Sequence, residues 1–123
     1  MSKPKAFSSS QTPLTPAIFY ILLALAIKER HGYDIMKQVE FDSKNKVRLG
    51  AGTLYGAIKR MLEEKLIVEY KTTHARRKYY KLTKKGRGIF LHELNRYNEA
   101  VELAKKRSLF GSLSGTKLAF AYE

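Results

Sequence analysis

Apolar positions fall into blocks whose spacing changes along the chain, with polar and glycine punctuation between them. Residues 1–13 (MSKPKAFSSSQTP) are small and polar without periodicity, which predicts a flexible arm. Thr15-Pro16 supplies a helix start, with a hydroxyl for the N-cap and a proline for the first helical position. Ala17 to Ile27 are apolar throughout, apart from the hydroxyl of Tyr20, and predict a helix buried on most sides. The run is shorter than the ~20 residues that a bilayer span requires. Lys3 and Lys5 before it, and Ala24-Leu25-Ala26 within it, imitate a signal peptide. Charged residues follow at once, however, and the buried helix is the better reading.

His31-Gly32 breaks this pattern, and a second helix is predicted from Tyr33 to Phe41. Ile35, Met36 and Val39 form its apolar stripe, leaving Tyr33, Lys37 and Gln38 nearer solvent. Asp42 to Asn45 reads as a polar turn and Val47-Arg48-Leu49 as a very short strand. Gly50-Ala51-Gly52 opens a third helix running to about Lys65. Leu54, Ile58, Met61, Leu62 and the stem of Lys65 share one side of it. Gly56, Lys59, Arg60 and Glu63 point the other way, flanked by Thr53 and Tyr55.

The period then becomes two. Leu66, Val68 and Tyr70 alternate with their neighbours, as do Lys78, Tyr80 and Leu82, predicting a hairpin with its tip at Thr72 to Ala75. Thr83 caps a last helix reaching about Arg107, with Gly86 and Gly88 each weakening its first turns by up to ~1 kcal/mol relative to alanine. Phe90, Leu94, Tyr97, Val101 and Ala104 make a heptad-like seam along it, suited to pairing two copies. The competing assignment packs this seam only on the first helix of its own chain. Residues 108–123 are Gly/Ser-rich, then apolar, and carry no readable role.

At 123 residues the chain is one domain, or one domain with an arm. Its formal charge of +13 implies an anionic partner such as DNA, RNA or a membrane surface. The placement of that charge narrows the choice. Residues 44–88 carry 14 basic and 3 acidic side chains, whereas residues 1–43 and 89–123 each hold 5 basic and 4 acidic ones. The absence of cysteine removes disulfides, thiol catalysis and Cys-ligated zinc, and fits a cytoplasmic location. His31, His74 and His92 show no metal-ligand spacing, so no metal or other cofactor is expected. Paired carboxylates, a nucleophile motif and a phosphate-cradling glycine loop are all missing from the pattern, so no enzyme is expected either.

Three helices, a basic hairpin and a long helix make a mainly α chain with a small β-hairpin. That order matches a winged helix-turn-helix over residues 14–83, with residues 84–107 as a C-terminal dimerisation helix. In such a domain the third helix enters the DNA major groove and the hairpin lies along the backbone or neighbouring minor groove. Thr53 and Tyr55 are candidates for setting register, and Gly56 for allowing close approach to the duplex. Lys59 and Arg60 can reach phosphates, and Arg60 also the O6/N7 edge of guanine. Tyr33 and Lys37 on the second helix, then Lys44, Lys46 and Arg48 after it, extend the DNA-contacting set. The hairpin adds His74, Arg76, Arg77 and Lys78. Tyr79 and Tyr80 fit either a DNA contact or buried packing.

The chain resembles the PadR family of bacterial and archaeal transcriptional regulators. The resemblance lies in Tyr20 to Ala26, in His31-Gly32-Tyr33-Asp34-Ile35, and in Gly52-Thr53-Leu54-Tyr55-Gly56-Ala57-Ile58-Lys59-Arg60-Met61. Glu64-Lys65-Leu66-Ile67 and Arg77-Lys78-Tyr79-Tyr80-Lys81-Leu82-Thr83-Lys84-Lys85-Gly86 complete it, covering about residues 17–107. Gly56 departs from the proline that the family commonly places there. The resemblance implies a dimeric repressor of double-stranded DNA whose final helix supplies the dimer contact. In some members a small-molecule effector binds near that interface, where Phe90 and Tyr97 could line a pocket. The main alternative is an architectural or nonspecific nucleic-acid-binding protein. A protein-interaction module built on the long helix is another. A membrane role fits less well, because the cations lie on a helix-plus-hairpin platform rather than opposite an apolar helix face.

Overall fold

The computed structural model describes residues 13–70 and 76–110. In chain order they form α1 (Pro16–Ile27), β1 (Arg30–His31), α2 (Gly32–Asp42), α3 (Ala51–Glu63), β2 (Ile67–Tyr70), β3 (Tyr79–Leu82) and α4 (Lys84–Lys106). Contacts divide the chain into Met1–Glu93 and Leu94–Glu123, with the boundary inside α4. The hairpin tip, with His74, and the N-terminal arm up to residue 12 lie outside the described residues.

α1 begins as its sequence requires. Thr15 is extended, its hydroxyl accepts from the Ile18 N–H at 3.2 Å, and Pro16 occupies the first turn. Ile21 and Leu22 are fully buried, with Leu25 nearly so, and α1 packs against α2 and β3 at the centre of the first unit. The core joins these residues to Ile35 and Val39 of α2, Leu54, Ile58 and Met61 of α3, and Leu66, Ile67, Tyr80 and Phe90.

Two buried charges hold the ends of α1. Arg30 is 5% exposed; its Nε donates to the Ala24 carbonyl at 2.8 Å, and its guanidinium pairs with Asp34 at 3.2 Å. A carbonyl in the last turn of a helix lacks an intrahelical partner, so this arginine caps the C-terminus of α1. At the other end, buried Glu93 of α4 accepts from the Leu14 N–H at 3.0 Å.

The sheet has three antiparallel strands in the order β1-β3-β2. Arg30 and His31 pair with Tyr80 and Tyr79, and Ile67 to Tyr70 pair with Leu82 to Tyr79. The extra strand is therefore β1. Val47-Arg48-Leu49 is not a strand: no strand partner lies beside it, and the Val47 N–H binds the Ser43 hydroxyl at 2.9 Å.

α3 also ends earlier than its periodicity suggests. Its last residue is Glu63, and Lys65 takes a left-handed backbone (φ 63°). The Lys65 and Leu66 N–H groups return to the Leu62 and Met61 carbonyls, the paired bonds of a Schellman ending. Lys65 is consequently exposed rather than laid along the buried face of α3. Thr83 knits this corner together: its hydroxyl accepts from the Gly86 N–H at 2.9 Å and donates to the Lys65 carbonyl at 2.7 Å. Gly86 is buried over Leu66, whose carbonyl a Cβ there would overlap.

Candidate nucleic-acid interface

α3 separates its two faces cleanly. Leu54, Ile58 and Met61 are buried, while Thr53, Tyr55, Gly56, Lys59, Arg60 and Glu63 are exposed. The helix continues unbroken through Gly56, and a Cβ placed there would meet nothing within 4 Å. No side chain caps its N-terminus at Gly50, so the first N–H groups have no side-chain acceptor. The exposed face thus offers two cations, two hydroxyls, one carboxylate and a stretch of bare backbone.

Beside it, α2, β1 and the base of the hairpin enclose a cleft of about 420 Å³. Arg76, Arg77 and Lys78 line it together with Tyr55, Tyr80, His31, Gly32 and Tyr33. The lining contains no carboxylate. α2 contributes the positive end of its dipole here, because His31 is its N-cap residue and Gly32 its first. Tyr55 reaches across from α3 to Gly32 so closely that a Cβ at position 32 would overlap its hydroxyl. Tyr80 is 5% exposed; burial pushes its phenol pKa up, with Glu69 and Tyr55 adding to the effect. It therefore remains a neutral hydroxyl that can donate to an anion.

Of the residues expected to meet DNA, Tyr33, Tyr55, Arg76, Arg77 and Lys78 come together around this cleft. Thr53, Gly56, Lys59 and Arg60 lie on the adjoining exposed face of α3. Lys37 stacks its ammonium 5.6 Å from the centre of the Tyr33 ring. It also borders a second hollow, with Lys44 and the exposed Phe41. Lys46 and Arg48 are exposed between α2 and α3.

The seam of α4 is divided. Leu94, Tyr97 and Val101 are exposed and Ala104 is half-buried. Phe90, expected at a dimer contact, is 4% exposed and lies 5.4 Å from Phe19, centre to centre. Its ring fills the core of the first unit and is not a free interface group.

His31 belongs to the site although its spacing suggests nothing. Its Nε2 is 2.8 Å from a terminal nitrogen of Arg77, a contact across 46 positions that no local pattern encodes. Gly32 reads as a break in periodicity, but its place beneath Tyr55 is visible only in three dimensions. Among the described residues no cluster of His, Cys, Asp and Glu could hold a metal ion, and no helix is long and apolar enough to cross a membrane.

A model of the transcriptional regulator PadR-like family matches residues 21–91. Among solved structures, the fold is similar to a PadR family transcription regulator from hypervirulent Clostridium difficile. That protein is 27% identical with a TM-score of 0.61, over 75% of this chain and 97% of its own. A transcriptional regulator from Clostridium thermocellum shares the fold at 23% identity and a TM-score of 0.61, over 73% of this chain and 87% of its own. An uncharacterized protein of Lysinibacillus sphaericus is 26% identical over 86 residues, or 68% of this chain and 79% of that protein.

Proposed function

Because the chain belongs to the PadR-like family of transcriptional regulators, we propose that it is a homodimeric repressor that reads a palindromic operator with α3 and the basic hairpin. The observation that carries this reading is the joining of two surfaces into one basic platform. The exposed side of α3 brings Thr53, Lys59 and Arg60, and the carboxylate-free cleft beside it brings Arg76, Arg77 and Lys78. A major groove ≈ 12 Å wide admits one helix, and the flanking cations then lie where phosphates run.

Arg60 serves as the base-reading side chain, bidentate to guanine, while Arg76 and Arg77 bind backbone without regard to sequence. Two copies joined through Leu94, Tyr97 and Val101 place two such platforms on successive major grooves, ~34 Å apart. Such a dimer works in the cytoplasm as a regulator rather than an enzyme, with a small-molecule effector as a further possible partner.

Salt titration of duplex binding tests the electrostatic part. With ~4 phosphates neutralised per subunit, the dimer's log–log slope is expected near −7. Arg76→Ala with Arg77→Ala lowers affinity alike for all duplexes, whereas Arg60→Ala also relaxes sequence preference. A slope near zero contradicts the reading.

A further inference from the structure

Tyr80 carries a polar group among apolar neighbours. It lies on β3, the central strand, is 5% exposed, and belongs to the core cluster with Leu66, Ile67 and Phe90. Its backbone is committed on both sides, opposite Arg30 of β1 and Glu69 of β2. Its hydroxyl is not: among the described residues no hydrogen bond reaches it. Nor is that hydroxyl sealed away. The one side-chain polar atom both enclosed and unpaired among the described residues is Asp42 Oδ2. The Tyr80 hydroxyl therefore opens onto the cleft that this residue helps to line. The core gains nothing from that oxygen, since a phenyl ring fills the same volume and a desolvated hydroxyl without a partner lowers stability.

The other groups of the cleft decide what this hydroxyl can meet. Arg76, Arg77 and Lys78 are exposed at its mouth, and no carboxylate lines it. The positive end of the α2 dipole lies at Gly32, with the Tyr55 hydroxyl over it as a second neutral donor. Burial, then Glu69 and Tyr55, raise the Tyr80 phenol pKa, so its proton stays in place. Charge at the mouth and neutral donors below fit an anion whose acceptor oxygens point several ways, as those of a phosphate do.

We propose that this cleft seats one phosphate group and that Tyr80 is a binding residue that donates its buried hydroxyl to it. The proposal rests on the DNA-binding reading for the source of that phosphate, a strand of the duplex; a free phosphate presents the same chemistry. The exposed cations attract any phosphate along a strand. A donor at the floor is reached only by one that enters, so it fixes the strand in place. Being neutral, it releases no counterion, and its contribution does not depend on salt.

Tyr80→Phe separates these roles. Duplex affinity should fall about tenfold per subunit, the loss of one hydrogen bond to a charged acceptor. The log–log salt slope should keep its wild-type value because no charge is removed, and Tm should be unchanged or higher. Weaker binding with a lower Tm overturns the proposal and leaves Tyr80 a core residue. Weaker binding with a shallower slope overturns it too, because the cations have then moved. Inorganic phosphate alone supplies a second arm, titrated into the free protein and compared with sodium chloride at equal ionic strength. Nitrogen-15 NMR should show phosphate-specific shifts at the Gly32 and Tyr55 amides that weaken in Tyr80→Phe; shifts identical in both proteins overturn the seat. Weakened phosphate binding with unchanged duplex affinity overturns the strand as the source and leaves a site for free phosphate. If no duplex binds either protein, the DNA reading fails, and the phosphate arm alone decides whether the seat exists.

Discussion

Tyr55 and Gly32 show how one residue's chemistry depends on another's absence. Tyr55 extends from α3 over the first residue of α2, and only a hydrogen at position 32 leaves room for its hydroxyl. Gly32→Ala places a methyl where that hydroxyl lies, and the flexible far end of Tyr55 swings aside rather than the backbone. The domain should stay folded, while loss of about one hydrogen bond to phosphate weakens duplex binding roughly tenfold per subunit. Unchanged affinity in a binding titration would remove Tyr55 from the interface. Such pairings are hard to see in a sequence. Arg30, His31 and Glu93 are equally opaque, because an isolated polar residue contributes no periodicity, and their partners lie in other elements or around a turn. Arg60 and the Arg76 to Lys78 run were legible, since charge on the outer side of an amphipathic helix or at a hairpin needs no distant partner to be recognised.

At the scale of elements, the sequence pattern located all four helices and the hairpin, and both ends of α1, but not the end of α3. Two residues beyond their last helical positions, α2, α3 and α4 are each followed by a left-handed residue that is not glycine, namely Lys44, Lys65 and Ser108. Glycine is the usual marker of such an ending, and without it the helical pattern of α3 runs on through Lys65. β1 was invisible for a different reason. Two residues, Arg30 and His31, cannot show an alternation, and they become a strand because the free edge of β3 accepts them. The glycines of α4 separate by packing as well. Gly86 lies against the Leu66 carbonyl, a backbone atom that cannot yield, whereas Gly88 faces open space. Gly86→Ala should destabilise by about 2 kcal/mol or more, lowering Tm by at least roughly 8 °C. Gly88→Ala should instead raise stability, by up to about 1 kcal/mol. Calorimetry of the two variants checks the pair, and similar Tm values would contradict this account of the α3–α4 corner.

The whole molecule has to reconcile a modest core with a long helix that keeps apolar groups in water. Leu94, Tyr97 and Val101 are 42%, 40% and 37% exposed, at the spacing of a coiled-coil seam. A second copy is the occupant proposed for them. Leu94→Asp combined with Val101→Asp should turn a dimer into a monomer in sedimentation at micromolar concentration, with the first unit still folded. A wild-type protein that sediments as a monomer would contradict the pairing. The proposed pairing would matter to function because one platform would read only a few base pairs, whereas two in fixed register would read a site. The +13 charge supports affinity for any duplex, and in the proposed dimer sequence preference would come from α3 and the spacing of its two copies. Competition between a duplex selected from a random pool and random-sequence duplex, at physiological salt, separates these contributions most directly. A sequence-reading dimer should prefer the selected site by about a thousandfold or more; equal affinities would contradict it and leave a nonspecific nucleic-acid-binding protein.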